Sequence, residues 1–306
     1  MPLTYEPEIF DLTLHIKDRI AIPTIHWQYI NSNRRYAVQI CMQSPNQEDT
    51  TIYQEANLCC KGIQHGKPLW QLSKENIYIN NLRTENPLEM LAIALAGTYY
   101  PIDATIKKEG GIETIHNLSS LQKRFEDAKP NLLRDFDGDF AKDVIADIAY
   151  ALQDSETFRK VLDDDIWVSL FFAPLAGAYD TLSASKEILL NIPVSFFEHS
   201  LKFICSATIQ KNNIPADHIV VALSGNINNL EHIDTTGTLE VFYELNVAGH
   251  GIRNITCNIT VNNAGETHLI FVKGYLLNET QIIKPDFLKP NSLEGDKKSF
   301  WNFLGF

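Results

Sequence analysis

The feature that most constrains the fold of this chain is the spacing of its apolar residues, which changes from a strand pattern to a helical pattern and back again. Residues 84–174 are the only long segment with a helical pattern, and they separate two lengths whose apolar residues alternate as in strands. Acidic charge is concentrated here, because Glu109 to Asp165 contains 14 Asp and Glu against 7 Lys and Arg, which is −7 of the formal net charge of −12. The pattern therefore predicts three successive structural parts.

The first part, residues 1–83, is predicted to be rich in strands. Residues 35–42 alternate apolar and polar side chains, and residues 44–49 have the composition of a turn. We therefore expect residues 51–61 to pair back as the second arm of a hairpin. Residues 70–79 are a further predicted strand.

The central part opens with a clear helix start. Asn86 can cap a helix and Pro87 suits its first position, while residues 88–96 are strong helix formers. This helix is apolar nearly all round, so it should be buried. A hairpin is expected to follow, from residues 99–106 and 111–115.

Later helices are predicted from capping and periodicity. Ser119 and Gln122 match a capping box, and their helix should end before Pro130. The next helix places on one arc the apolar residues Phe140, Val144, Ile145, Ile148 and Leu152. Because consecutive acids at a helix C-terminus oppose the macrodipole, Asp163 or Asp164 is expected to cap or begin the element that follows, residues 166–172.

The third part returns to the strand pattern. Its clearest period-2 segments are residues 218–223, 238–247, 252–261 and 267–277. These segments are separated by turn-like sequences, so an antiparallel meander is predicted. Residues 285–298 have the composition of a linker, and the last eight residues are unusually aromatic.

We therefore predict an α+β fold, with antiparallel β-sheet units before and after a central helical segment. The predicted units are residues 1–83 (β-rich), 84–174 (helical, with a hairpin), 175–284 (antiparallel sheet) and 285–306 (linker and aromatic tail). The open alternative is that the two β parts form one continuous sheet with the helices on one side.

Charge and composition exclude several functions. A net charge of −12 argues against a nucleic-acid surface, since the nearest approach to a basic cluster is Asn33-Arg34-Arg35. The first residues lack the features of a secretory signal, and no apolar run is long enough for a membrane span. A cytoplasmic protein is predicted, in which the five cysteines are small buried apolar residues.

No local motif indicates catalysis, a metal or a cofactor. Asp135, Asp137 and Asp139 resemble the opening of an EF-hand loop, but Phe140 and Ala146 replace the required glycine and glutamate. The interpretation favoured here is that Asp137 or Asp139 caps the following helix. The nine histidines are dispersed singly, so no catalytic pairing is indicated.

The aromatic tail leads to the preferred functional hypothesis. Its apolar side chains are Phe300, Trp301, Phe303, Leu304 and Phe306. Such a segment either covers its own body or docks into a partner. We therefore favour a non-catalytic protein–protein interaction protein, such as a subunit of a larger intracellular assembly, which associates with another protein or with itself through the tail.

Two alternatives remain open. One is a binding protein that holds a small apolar ligand between its sheet and its helices, in a cavity lined by Phe, Ile and Tyr. The other is an enzyme without a recognisable local motif, in which the fold brings a histidine close to an Asp and a Ser or Cys.

Overall fold

A single antiparallel sheet of eleven strands dominates the computed structural model. The structure describes residues 24–25, 33–45, 48–80, 86–180, 183–194, 200–210, 218–227, 235–247 and 250–277. Within these ranges the strands of the sheet are β2 (Asn33–Gln43), β3 (Thr50–Gln64), β4 (Lys67–Ile79), β5 (Ile102–Ile106), β6 (Ile112–Ile115), β8 (Ser185–Ile192), β9 (Leu201–Gln210), β10 (His218–Ile227), β11 (Thr235–Asn246), β12 (Ile252–Asn263) and β13 (Glu266–Leu276). A separate short pair joins β1 (Thr24–Ile25) to β7 (Gly177–Ala178).

The strand order shows that the chain enters the sheet in its middle. The order is β6-β5-β4-β3-β2-β13-β12-β11-β10-β9-β8. Each strand therefore pairs with its neighbour in sequence, except where β2 pairs with β13 through contacts such as Ile40 with Val272. Strands β6 and β8 form the two opposite edges of the sheet, and the helical segment connects them.

The helical segment joins two edges that lie close together in space. The connection is made by α2 (Leu118–Asp135), α3 (Asp139–Ala151), α4 (Ser155–Asp163) and α5 (Ile166–Phe171), while α1 (Pro87–Tyr99) connects β4 to β5. Gly110 and Gly111, in the turn before β6, line one pocket with Leu189 and Leu190 of β8. The sheet is therefore strongly curved, because its two edge strands approach the same place.

One face of the sheet is buried by the helices and the other is open. Along β11, Leu239, Val241 and Tyr243 are buried, whereas Glu240 and Phe242 between them are exposed. Helices α4 and α5 contact strands at opposite edges of the sheet, and α1 packs between β4 and α2. The buried side chains of the sheet and all five helices form one continuous core.

The predicted fold class is therefore wrong. The central helical segment does not separate two sheet units, since strands from before and after it belong to one antiparallel sheet. The sequence misses this because the β2–β13 pairing joins residues about 230 positions apart, and period-2 patterns carry no information about which strands meet. The open alternative, one sheet with the helices on one side, is the arrangement observed.

The individual strands agree well with their predicted positions. Residues 35–42, 51–61 and 70–79 lie within β2, β3 and β4, and the central hairpin is formed by β5 and β6. The four C-terminal segments lie in β10 to β13, apart from residue 247 and residue 277, which follow strand ends. The division into four units, including residues 285–306, stays a prediction.

Helix termini agree less well with the predictions. Asn86 caps α1 as expected, by accepting a hydrogen bond from the Leu88 amide. Pro130 lies inside α2, however, and the cap residue of α3 is Gly138 rather than Asp137 or Asp139. The cap of α5 is Asp165, one residue beyond the predicted pair, and its Oδ1 accepts from the amides of Trp167 and Val168.

Asp165 also forms a buried ion pair that joins the helical layer to the sheet. Its Oδ2 lies 2.5 Å from Nζ of Lys74 on β4, and both side chains are more than nine-tenths buried. The Tyr100 hydroxyl lies 3.5 Å from the same oxygen. One carboxylate therefore caps α5, neutralises a buried lysine and contacts a tyrosine, so its position fixes the start of α5.

Trp167 on α5 packs directly against the backbone of a glycine in the sheet. A Cβ built on Gly274 of β13 would lie 2.2 Å from the Trp167 ring. The indole is 1% exposed and also contacts the rings of Tyr36 and Phe171. Gly274 is thus required for close approach of the helix, not for a turn.

We expect Gly274→Ala to lower the free energy of unfolding by about 1–3 kcal/mol, because the new methyl group must displace the buried indole. Gly97→Ala is the matched control. Gly97 is exposed on α1 with no atom within 4 Å of its Cβ position, so alanine should stabilise the helix by about 0.5–1 kcal/mol. Urea unfolding measures both, and equal effects at the two sites would contradict the packing role of Gly274.

We expect Lys74→Met to lower the free energy of unfolding by about 3–5 kcal/mol, because it leaves the Asp165 carboxylate buried without its cation. In the double variant Lys74→Met/Asp165→Asn, the asparagine oxygen can still cap α5, and the uncompensated charge is gone. Urea unfolding should therefore show the double variant to be more stable than Lys74→Met alone. A double variant of equal or lower stability would disprove this explanation.

Candidate functional site

A cavity of about 410 Å³ lies at one end of the sheet, where the inner strands meet the end of α5. The start of β2, the start of β4, the end of β5 and the start of β12 all reach this end, since neighbouring strands are antiparallel. Its apolar lining comes from Ile25, Trp70, Ile106, Phe171, Phe172 and Ile252. Among the described residues, no histidine lies in this lining.

Three aromatic rings hold the inner wall of the cavity in place. Trp70 of β4 makes edge-to-face contacts with Phe171 and Phe172, at centroid distances of 6.1 and 5.6 Å. The two phenylalanine rings also meet each other at 5.0 Å. Edge-to-face pairs add to the stability gained from burial alone, so this wall is a fixed apolar surface.

A close backbone approach shapes the wall beside Phe172. Gly110, in the turn between β5 and β6, has a φ of +93°, and a Cβ on it would lie 2.9 Å from the Phe172 carbonyl oxygen. The turn can therefore pack directly on the chain that leaves α5. This contact brings Lys107 and Lys108 to the cavity.

The segment that follows α5 also contributes to the lining, through Ala173, Pro174, Ala176 and Gly177, and it is held by one lysine. The Lys186 ammonium group donates hydrogen bonds to the carbonyls of Pro174, at 2.7 Å, and Ala176, at 2.6 Å. It also lies over the Tyr179 ring at 5.0 Å, and the Tyr179 hydroxyl donates to the Leu175 carbonyl. Partial burial lowers the pKa of Lys186 to about 8.

Among the described residues, four cationic side chains and no acidic one line the cavity. They are Arg34, Lys67, Lys107 and Lys108. Lys67 is paired with Glu113, which lies outside the lining. The Arg34 Nη1 donates to the Ile252 carbonyl at 3.1 Å, and that oxygen also accepts from the Tyr36 hydroxyl at 2.7 Å.

The Arg34 guanidinium is positioned by its surroundings. A Cβ on Gly251 would lie 2.0–2.3 Å from three guanidinium atoms, so the group rests directly on the Gly251 backbone. Burial raises the pKa of Tyr36 to about 12, although Arg34 opposes the rise, so the phenol keeps its proton at neutral pH. Among the residues that the structure describes, no carboxylate lies within 4 Å of Arg34.

The docking residues Phe300, Trp301, Phe303, Leu304 and Phe306 fall outside the described residues, so docking through the tail stays a prediction.

The acidic motif around Asp137 is occupied by local contacts. Asp135 pairs with Arg134, and Asp137 accepts from the Gly138 amide and pairs with Lys142. No group of three or more potential metal ligands occurs among the described residues.

Three described histidines make polar contacts with residues that do not belong to the described lining of the cavity. His218 pairs with Glu244, His116 contacts the Thr105 hydroxyl at 3.2 Å, and His268 contacts the Ser44 hydroxyl at 3.1 Å. Thr105 is on β5, Ser44 follows β2 and Glu244 is on β11, so these contacts do not share a site.

Sequence analysis missed the cationic side chains of the cavity. In the sequence Arg34 belongs only to a tripeptide too short to indicate a phosphate-binding surface, Lys67 begins β4, and Lys107 and Lys108 follow β5. The signal that could have found them is their position at strand ends, because alternate ends of an antiparallel meander meet at one side of the sheet. This signal can be used only when the order of the strands in the sheet is known, and the sequence alone does not give that order.

Comparison with known proteins does not assign a family. No protein-family model matches the chain, and no curated protein matches it. Among solved structures, the chain is similar to one titled "lipid–protein interactions in lipovitellin", with a TM-score of 0.44 and 10% identity over 80% of this chain. The match spans 25% of the lipovitellin chain.

A second likeness is to a LolA superfamily protein from Nitrosomonas europaea. Here the TM-score is 0.18 and the identity is 8%, over 82% of this chain and 88% of the other. The described helices also include none that is long and apolar enough to cross a membrane.

We expect the stability of the protein to depend on the titration of Lys186. Because its folded pKa, about 8, lies below the unfolded value, the unfolded state binds more protons between these values. Stability should therefore rise as the pH increases from about 8 towards 10.5, relative to Lys186→Met, which lacks this group. Urea unfolding of both proteins across this range measures the difference, and a constant difference would refute the assignment.

Proposed function

We propose that this protein binds a small apolar ligand in the cavity at the end of α5. The observation that carries the proposal is the cavity itself, which has about 410 Å³ of space against a wall of Trp70, Phe171 and Phe172. Ligand sites of proteins typically measure roughly 300–1,000 Å³ and have mainly apolar and aromatic linings with a few polar groups. The lining of this cavity has the same character.

The wall is built in a way that favours binding without rearrangement. The aromatic rings are fixed against one another, and α5 is fixed by the buried pair of Lys74 and Asp165. A preformed apolar surface avoids the entropic cost of ordering side chains on binding. A ligand that buries about six methylene groups there would gain roughly 5 kcal/mol from the hydrophobic effect.

Of the hypotheses drawn from the sequence, the structure favours the apolar ligand-binding protein over the interaction protein. The interaction hypothesis rests mainly on a tail that lies outside the described residues. The ligand hypothesis is supported by described side chains that surround a definite volume. The enzyme hypothesis lacks a comparable cluster, since the described histidine contacts are distributed over separate parts of the sheet.

The test uses the neutral, apolar fluorophore Nile red, whose emission increases in apolar surroundings. We expect saturable binding to the intact chain with one site per molecule. Ala176→Trp should weaken binding at least tenfold, because Ala176 is an exposed residue of the cavity lining and the indole would fill the mouth.

Ala146→Trp is the matched control. Ala146 is exposed on α3 and does not line the cavity, so this variant should bind Nile red like the unchanged protein. Binding that is non-saturable, or that is equal in Ala176→Trp, would refute the cavity as the ligand site. Circular dichroism and thermal unfolding of both variants would verify that each is folded.

A further inference from the structure

The charge of the cavity is opposite to the charge of the chain. The chain has 38 acidic and 26 basic residues, yet the charged residues of the lining, within the described part of the chain, are Arg34, Lys67, Lys107 and Lys108. They come from three separate strand ends, so no local sequence bias places them together. A cationic apolar cavity in an acidic protein is suited to a ligand that is itself apolar and anionic.

The four cations differ in how they are held. Arg34 is half-buried and fixed between the Gly251 backbone, the Ile252 carbonyl and Tyr36. Lys67 and Lys108 are exposed, and Lys107 is close enough to Asp163 to interact with it electrostatically. Arg34 is therefore a preorganised group, whereas Lys67 is engaged by Glu113 and Lys107 lies near Asp163.

Arg34 has the chemistry to bind a carboxylate or a phosphate. A guanidinium has five N–H donors in a planar fork, and the described contacts of Arg34 use only part of them. It lies in the same lining as the apolar wall of Trp70 and Phe171. An anionic head group on Arg34 would thus stand beside a surface that accepts an apolar chain.

We propose that the ligand of this cavity is an anionic amphiphile, with its head group bound by Arg34 and attracted by Lys67, Lys107 and Lys108, and its apolar chain on the aromatic wall. The inference rests on the proposed function, since it names the class of ligand for the same cavity. In this proposal the head group and the apolar chain of one ligand occupy the cavity at the same time.

The test compares dodecanoate with dodecanol as competitors of Nile red at pH 7.5. The two have the same chain length and differ in charge, so the difference isolates the head group. We expect dodecanoate to bind at least tenfold more tightly, as befits charge-assisted hydrogen bonds to Arg34. This preference should decrease as sodium chloride is added.

Arg34→Met should abolish the preference for dodecanoate over dodecanol, because it lowers the affinity for dodecanoate and leaves the affinity for dodecanol unchanged. Arg134→Met is the matched control, because it removes one exposed positive charge outside the lining and should leave the preference intact. Gly251→Ala keeps the charge of Arg34 but moves its guanidinium, so it should also reduce the preference. This variant keeps the test decisive should Arg34→Met fail to fold.

The outcomes separate the two proposals. If Nile red binds and dodecanoate and dodecanol compete equally, the inference is overturned and the proposed function stands. If sodium acetate or inorganic phosphate alone displaces Nile red as well as dodecanoate does, the site binds free anions, and the amphiphile is rejected. If Nile red and dodecanoate both fail to bind, both proposals are rejected.

Discussion

The ion pair between Lys74 and Asp165 is the contact on which the arrangement of the site depends. Helix α5 has only six residues, too few to be stable without tertiary contacts. Asp165 fixes its first turn against β4, and at its other end the Tyr243 hydroxyl of β11 donates to the Leu170 carbonyl at 2.9 Å. The helix is thus attached to both halves of the sheet, and the phenylalanines at its end are held where they form the cavity wall.

The topology explains why a site occurs at this end of the sheet. The chain leaves the sheet at the edge strand β6 and returns at the other edge strand β8, and the helices between them pack on one face of the curved sheet. The last of them, α5, ends beside the starts of β2 and β4. The segment from Ala173 to Gly177 then turns away towards β8, and the cavity lies between this turn and the strand ends.

Local structure could largely be predicted from the sequence, whereas long-range arrangement could not. Alternation located β2 to β4 and β10 to β13, and Asn86 with Pro87 located the start of α1, because these signals act between near neighbours. Pro130 was misjudged since α2 tolerates it, and Asp165 is distinguished from Asp163 and Asp164 only by its buried partner, Lys74. The cavity could not be predicted at all, because its residues meet through the pairing of strands that are distant in sequence.

The position of β2 in the middle of the sheet has a consequence for the order in which the protein can assemble. Among the strands that the structure describes, β2 is synthesised early, but its neighbour β13 is synthesised last. Until then one side of β2 is an unpaired edge, and it carries apolar residues such as Val38 and Ile40 that are buried in the folded protein. Unpaired edges of this kind readily pair with strands of other chains. The seam between β2 and β13 is therefore the last part of the sheet to close on a ribosome, and the part most exposed to pairing with a neighbouring molecule before it does.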